Sequence, residues 1–69
     1  MIEVFITNVQ KAAEAKTLVA LLAQHFPDHK INFDLDDCDK ILRVEGHGFS
    51  PDHVMGMVKK RGFLCEVLA

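Results

Sequence analysis

The sequence predicts an α+β domain of order βαββαβ. Short stretches alternate apolar and polar residues with period two, longer ones repeat apolar residues at helical spacing, and turn or cap residues stand at the boundaries. At 69 residues the chain reads as a single domain, residues 1–69, with no linker, repeat or low-complexity segment.

In the first stretch Ile2, Val4 and Ile6 alternate with Glu3, Phe5 and Thr7, which predicts a strand with Ile2, Val4 and Ile6 on the buried face. From about residue 10 to residue 26, Ala12, Ala15, Leu18, Val19, Leu22 and Phe26 recur at helical spacing, and Pro27 and Asp28 close the segment. Ile31, Phe33 and Leu35 alternate again, Asp36, Asp37, Cys38, Asp39 and Lys40 form a polar turn, and Leu42 and Val44 resume the alternation, so the pair reads as a hairpin. Gly46 and Gly48 interrupt that strand. Ser50 is placed to cap a second helix, with Pro51 at its first position and Asp52 set against the helix dipole. Val54, Met57 and Val58 make its core-facing side, and Gly62 ends it. Phe63, Cys65 and Val67 alternate with Leu64, Glu66 and Leu68 as a closing strand whose first set points inward.

This order is that of a ferredoxin-like sandwich, a four-stranded antiparallel sheet with two helices on one face. The other face is left to solvent or to a partner. Such a fold sets the strands in the order four, one, three, two. That order gathers Phe5, Ile41 and Leu64, taken from the outward sets, into an apolar patch ringed by Glu3, Thr7, Arg43 and Glu66. A chain this short has a modest core, so a protein partner or a homodimer through that open face is expected.

Composition excludes several classes. Eight Lys and Arg stand against ten Asp and Glu, a formal charge of −2, with no basic run to follow a phosphate backbone, so nucleic acid is not an expected ligand. No stretch approaches the roughly eighteen apolar residues of a membrane span, and Met-Ile-Glu-Val-Phe lacks the basic flank and apolar block of a signal peptide. The expectation is a cytoplasmic protein without membrane insertion. Two cysteines, Cys38 and Cys65, are too few for a disulfide framework and are expected to stay thiols. No nucleophile with a base, phosphate-cradling glycine loop or enclosed carboxylate pair is legible, so the expectation is not an enzyme.

Leu18 and Leu22 in the first helix, the hairpin from Phe33-Asp34-Leu35 to Leu42-Arg43-Val44-Glu45-Gly46, and Gly62-Phe63 before the last strand carry a resemblance over nearly the whole chain. The chain resembles the heavy-metal-associated domain, the fold of small copper chaperones and of the amino-terminal modules of metal-transporting ATPases. In that family the first strand runs into a loop of the form V-x-G-M-x-C-x-x-C, where two thiolates hold a soft ion such as Cu(I). Here the corresponding run is Ile6-Thr7-Asn8-Val9-Gln10-Lys11-Ala12-Ala13-Glu14, and Lys11 and Glu14 replace the cysteines. Lys11 offers no acceptor at neutral pH and Glu14 is a hard oxygen ligand, so no metal is expected at the family loop.

Other metal ligands remain as an alternative. His25, His29, His47 and His53 fall at or near one end of the sandwich, and neutral imidazoles suit Zn(II), Ni(II) or Cu(II). His47 and His53, flanking the start of the second helix, are the preferred pair, with Cys38 as a further candidate. Asp34, Asp36, Asp37 and Asp39 cluster around the hairpin turn but lack the glycine and distant glutamate of an EF-hand loop. They read as a solvated acidic turn able to dock a basic partner. A joint site of Cys38 and Cys65 would need the turn and the last strand to approach.

Three functional expectations follow. The first is a non-enzymatic interaction module that has lost the family's cysteine pair and needs no cofactor. The second is a divergent transition-metal binder or metallochaperone with His or Cys ligands. The third is a small-molecule sensor of the kind that other ferredoxin-like domains, such as the amino-acid-binding ACT modules, form when sheets pair across a dimer.

Overall fold

The structure, a computed structural model, describes residues 1–36 and 38–68. It is an α+β domain with the element order β1 (Ile2–Thr7), α1 (Ala12–His25), β2 (Lys30–Asp34), β3 (Ile41–Glu45), α2 (Pro51–Lys60) and β4 (Cys65–Val67). The four strands form one antiparallel sheet in the order β2-β3-β1-β4. β1 lies in the middle, between β3 and the short strand β4, and β2 and β4 are the edges.

α1 begins at Ala12, two residues after the expected start, and α2 at Pro51 as expected, although its cap differs from expectation. At α1 the Glu14 carboxylate accepts the Lys11 backbone N–H at 3.3 Å, which satisfies one of the orphan donors of the first turn. The Lys11 ammonium has no lone pair with which to return the bond, so half a capping box forms. At α2, Pro51 stands in the first turn as expected, whereas the Ser50 hydroxyl makes no capping hydrogen bond and the helix opens on its carbonyl, which accepts the Val54 N–H at 3.3 Å.

A single core cluster joins both helices to one face of the sheet. Ala15, Leu18 and Leu22 from α1, Val54 and Val58 from α2, and Phe5, Leu42, Val44 and Cys65 from the strands are its buried members, closed at the ends by Val9, Phe26 and Phe49. Ile31, Phe33, Leu35, Met57 and Phe63 pack around it half-buried. The inward sets expected for β2, β3 and β4 are therefore the observed ones except at Val67, which stands opposite Phe5 in the ladder yet is 38% exposed and lies outside the core cluster.

β1 is the exception. Phe5 is fully buried within the core, while Ile2 is exposed and Val4 and Ile6 are half-buried, the reverse of the expected facing. The cause is register. Pairing with β3 sets Phe5 opposite Leu42 and Ile6 opposite Ile41, and residues directly opposite in a ladder share a face, so Phe5 must follow Leu42 inward. Thr7 goes in with it, and its buried hydroxyl is satisfied twice, donating to the Lys40 carbonyl at 2.6 Å and accepting from the Val9 N–H at 3.2 Å.

The expected outer patch of Phe5, Ile41 and Leu64 is corrected accordingly. Phe5 belongs to the core. Ile41 stands on the outer face but is only 6% exposed, flanked in the ladder by Ile6 and Asp34. Leu64, 66% exposed just before β4, is the member that the structure leaves on the surface.

Candidate functional site

The loop between β1 and α1 has a structural role. Val9 turns into the core, Lys11 and Glu14 serve the start of α1, and the Asn8 side-chain carbonyl accepts the Leu64 N–H at 2.8 Å, tying the loop to the entry of β4. Glu14 is thus engaged at the start of α1, and Asn8 is the residue of the run whose side chain ties it to another element.

Three of the four histidines, His25, His29 and His53, join one aromatic cluster with Phe26 and Phe49, in a different pairing from the expected one. The rings of His25, in the last turn of α1, and His53, in the first turn of α2, lie edge to face with centroids 6.2 Å apart, and both residues are exposed. His47 is exposed on the loop before α2, and the ring contacts of His53 among the described residues are with His25 and Phe26. His29 is half-buried, its ring 5.4 Å from both Phe26 and Phe49, and neither of its shielded nitrogens has a hydrogen-bond partner among the described residues. Burying such a group without a partner costs on the order of 1–3 kcal/mol, so this aromatic cluster holds His29 at some expense. Among the described residues no group of three or more His, Cys, Asp or Glu side chains is arranged to hold a metal ion.

The acidic turn is exposed at Asp34, Asp36 and Asp39, while Asp37 lies outside the described residues. Lys40 enters the turn's exit with a positive φ of 48° and folds back so that its ammonium donates to the Leu35 carbonyl at 2.9 Å. Its own carbonyl takes the Thr7 hydroxyl, so the turn is fastened to the end of β1.

The two cysteines are separated by burial. Cys38 is an exposed free thiol in the turn, and Cys65 is a fully buried free thiol on the inner face. Burial pushes the Cys65 thiol up to about 11 from 9.0, because the thiolate loses its hydration; the nearby Lys59 opposes the shift and Glu66 adds to it. Alkylation of the native protein near neutral pH should modify Cys38 alone, with Cys65 reacting only after denaturation; fast native modification of Cys65 would contradict its placement. The same shift sets a pH dependence. The unfolded chain loses this proton at a lower pH than the folded one, so stability is undiminished below pH 9 and falls as pH rises from about 9 towards 11, by at most about 3 kcal/mol. Urea titrations of Cys65→Ala should show a shallower decline over that interval.

The remaining surface feature is the sheet face away from the helices. In register, Ile2, Val4 and Ile6 of β1 stand opposite Glu45, Arg43 and Ile41 of β3, and Ile6 stands opposite Glu66 of β4. Leu64 and Leu68 flank β4, the latter with its N–H donated to the Val4 carbonyl at 2.8 Å. The result is an apolar strip of Ile2, Val4 and Ile6 along β1, with Leu64 and Leu68 on either side of Glu66 at β4 and with Arg43 and Glu45 along β3. Sequence reasoning missed this composition because it assigned β1 the opposite facing.

Comparison of the chain with protein-family models, with curated proteins and with solved structures returned no match. Among the described residues no helix is long and apolar enough to cross a membrane.

Proposed function

We propose that the chain is a small non-enzymatic binding module with a ferredoxin-like fold, resembling a heavy-metal-associated domain whose cysteine pair is replaced, and that it docks a protein partner on the open face of its sheet. The observation that supports this reading is the apolar residues on the outer face of β1 and beside β4. Ile2 is 58% exposed, Leu64 66% and Leu68 43%, with Val4 and Ile6 half-buried on β1 and Glu66 between the two leucines, and several exposed apolar side chains on one sheet face mark a surface suited to a partner. At the corresponding loop the Lys11 ammonium has no lone pair to offer a metal and the Glu14 carboxylate is bonded to the start of α1, which favours an interaction role over the family's metal role.

The test is a double substitution, Leu64→Asp with Leu68→Asp, at positions whose exposure leaves the core intact. A partner captured on the unaltered protein, then purified and titrated, should bind the double variant at least about tenfold more weakly, a loss of about 1.4 kcal/mol. Equal binding would remove the open face from the account. Native mass spectrometry with Cu(I), Zn(II) and Ni(II) covers the alternative. A stoichiometric adduct that survives a chelator and is lost on substituting His25 and His53 would replace this reading with that of a transition-metal carrier.

A further inference from the structure

β2 is an edge strand: among the described residues it pairs with β3 alone, along a continuous one-to-one register from Lys30 opposite Glu45 to Asp34 opposite Ile41. An antiparallel edge directs half of its backbone N–H and C=O groups away from the sheet, and proteins usually blunt such an edge with proline, a bulge, charged side chains or a covering loop; the charges of β2, Lys30 and Asp34, are of opposite sign and at opposite ends of the strand. The strand Lys30-Ile31-Asn32-Phe33-Asp34 contains no proline and its ladder contains no bulge. Beside it runs a shallow groove of about 520 Å³ between β2 and α1, with Ile31, Phe33 and Leu35 on one wall and Ala15 and Val19 on the other.

The order of residues in this strand is self-complementary. Laid antiparallel against a copy of itself about a two-fold axis at Asn32, it sets Lys30 of each copy opposite Asp34 of the other, Ile31 opposite Phe33, and Asn32 opposite Asn32. Opposite charges, apolar pairs and amides thus meet like a closed set, and no like charges face each other. The facing agrees with this too. Lys30, Asn32 and Asp34 are exposed, while Ile31 and Phe33 are half-buried on the helix side. The two ion pairs therefore lie on one surface of the joined sheet and the apolar pairs on the other, where the grooves of the two copies merge.

We infer that β2 is a homodimerisation edge, through which two copies of the chain join into one continuous eight-stranded antiparallel sheet. The interface is isologous, so each favourable pair occurs twice and the assembly closes at two copies. Backbone hydrogen bonds supply the attraction and the Lys30 and Asp34 pairs select the register. This contact uses a different surface and a different partner from the open-face proposal and stands without it.

Sedimentation equilibrium across a wide concentration range tests the inference. The unaltered protein should show a reversible monomer–dimer equilibrium. Lys30→Asp alone and Asp34→Lys alone each set like charges opposite one another at both ends of the strand and should weaken the dimer at least tenfold. An equimolar mixture of those two variants restores opposite charges at both ends and should recover association as a heterodimer, as should the double variant Lys30→Asp/Asp34→Lys with itself. Because recovery is the readout, a variant that had merely unfolded could not mimic the expected result. A monomer at every concentration, or single variants that dimerise as tightly as the unaltered protein, would overturn the proposal. Loss of the dimer in Leu64→Asp/Leu68→Asp with retention in the β2 variants would overturn it as well and move self-association to the open face.

Discussion

Replacing Phe5 with alanine should cost about 3–5 kcal/mol, the largest single loss expected anywhere in the chain. Phe5 is fully buried at the centre of the sheet's inner face, paired with Leu42 on one side and Val67 on the other, and belongs to the cluster that both helices cover. Truncation removes its apolar contacts and leaves a cavity between elements that are tied at their ends and cannot collapse fully. Domains of this size carry only a few kcal/mol of net stability, so Phe5→Ala is expected to be largely unfolded at room temperature by circular dichroism and by amide dispersion in NMR spectra. A folded Phe5→Ala with altered association would instead place Phe5 on the outer face. Ile2→Ala is the matching control. Its side chain is more than half exposed, and it should cost well under 1 kcal/mol.

Gly46→Ala should destabilise the fold by about 3 kcal/mol, the upper part of the range for inserting atoms where none fit. A Cβ on Gly46 would fall on the His29 ring, and neither side can retreat. The Gly46 backbone is fixed by its N–H bond to the Met1 carbonyl at 2.9 Å, and His29 by its N–H bond to the Phe26 carbonyl at 3.1 Å. The ring itself is held between Phe26 and Phe49. The diagnosis is checked by a double-mutant cycle. Removing the ring with His29→Ala opens the space, so urea denaturation of Gly46→Ala/His29→Ala should show a combined cost smaller than the sum of the singles by at least about 1 kcal/mol. Additive costs would mean that Gly46 is required for a reason other than the ring. Since the φ of Gly46 is not in the left-handed region, close approach is the reason the structure supplies.

The histidines illustrate what the candidate site demanded beyond the sequence. Their collection near one end of the domain follows from element order alone, because helix ends and strand starts alternate between the two ends of a layered fold. Which of them approach is a matter of helix packing. His25 and His53 are brought together by the crossing of α1 and α2, whereas His29 is drawn into an aromatic cluster by Phe49, a residue whose burial no periodic pattern signals because it lies in a loop. The same holds for Val9. Loop residues have no repeat to betray them, so their place in the core emerges only when the elements are assembled.

The number, type and order of elements were legible from the chain alone, and so were the inner faces of β2 and β3, where apolar and polar residues differ clearly from one face to the other. Leu42 and Val44 had to be buried because Arg43 and Glu45 could not be. In β1 the distinction disappears: Ile2, Val4, Phe5 and Ile6 are apolar on both faces, so either facing buries hydrophobic side chains and local pattern has no preference. Pairing with β3 decided it, placing Phe5 over Leu42 and leaving the isoleucines to form the outer strip. The self-complementary order of β2 was likewise present in the sequence, but it acquires meaning only because the sheet places that strand at an edge with one side of its backbone unpaired. Periodicity reports which residues share a face; which face is covered, and which strand is left exposed, is set by contacts between residues far apart in the chain.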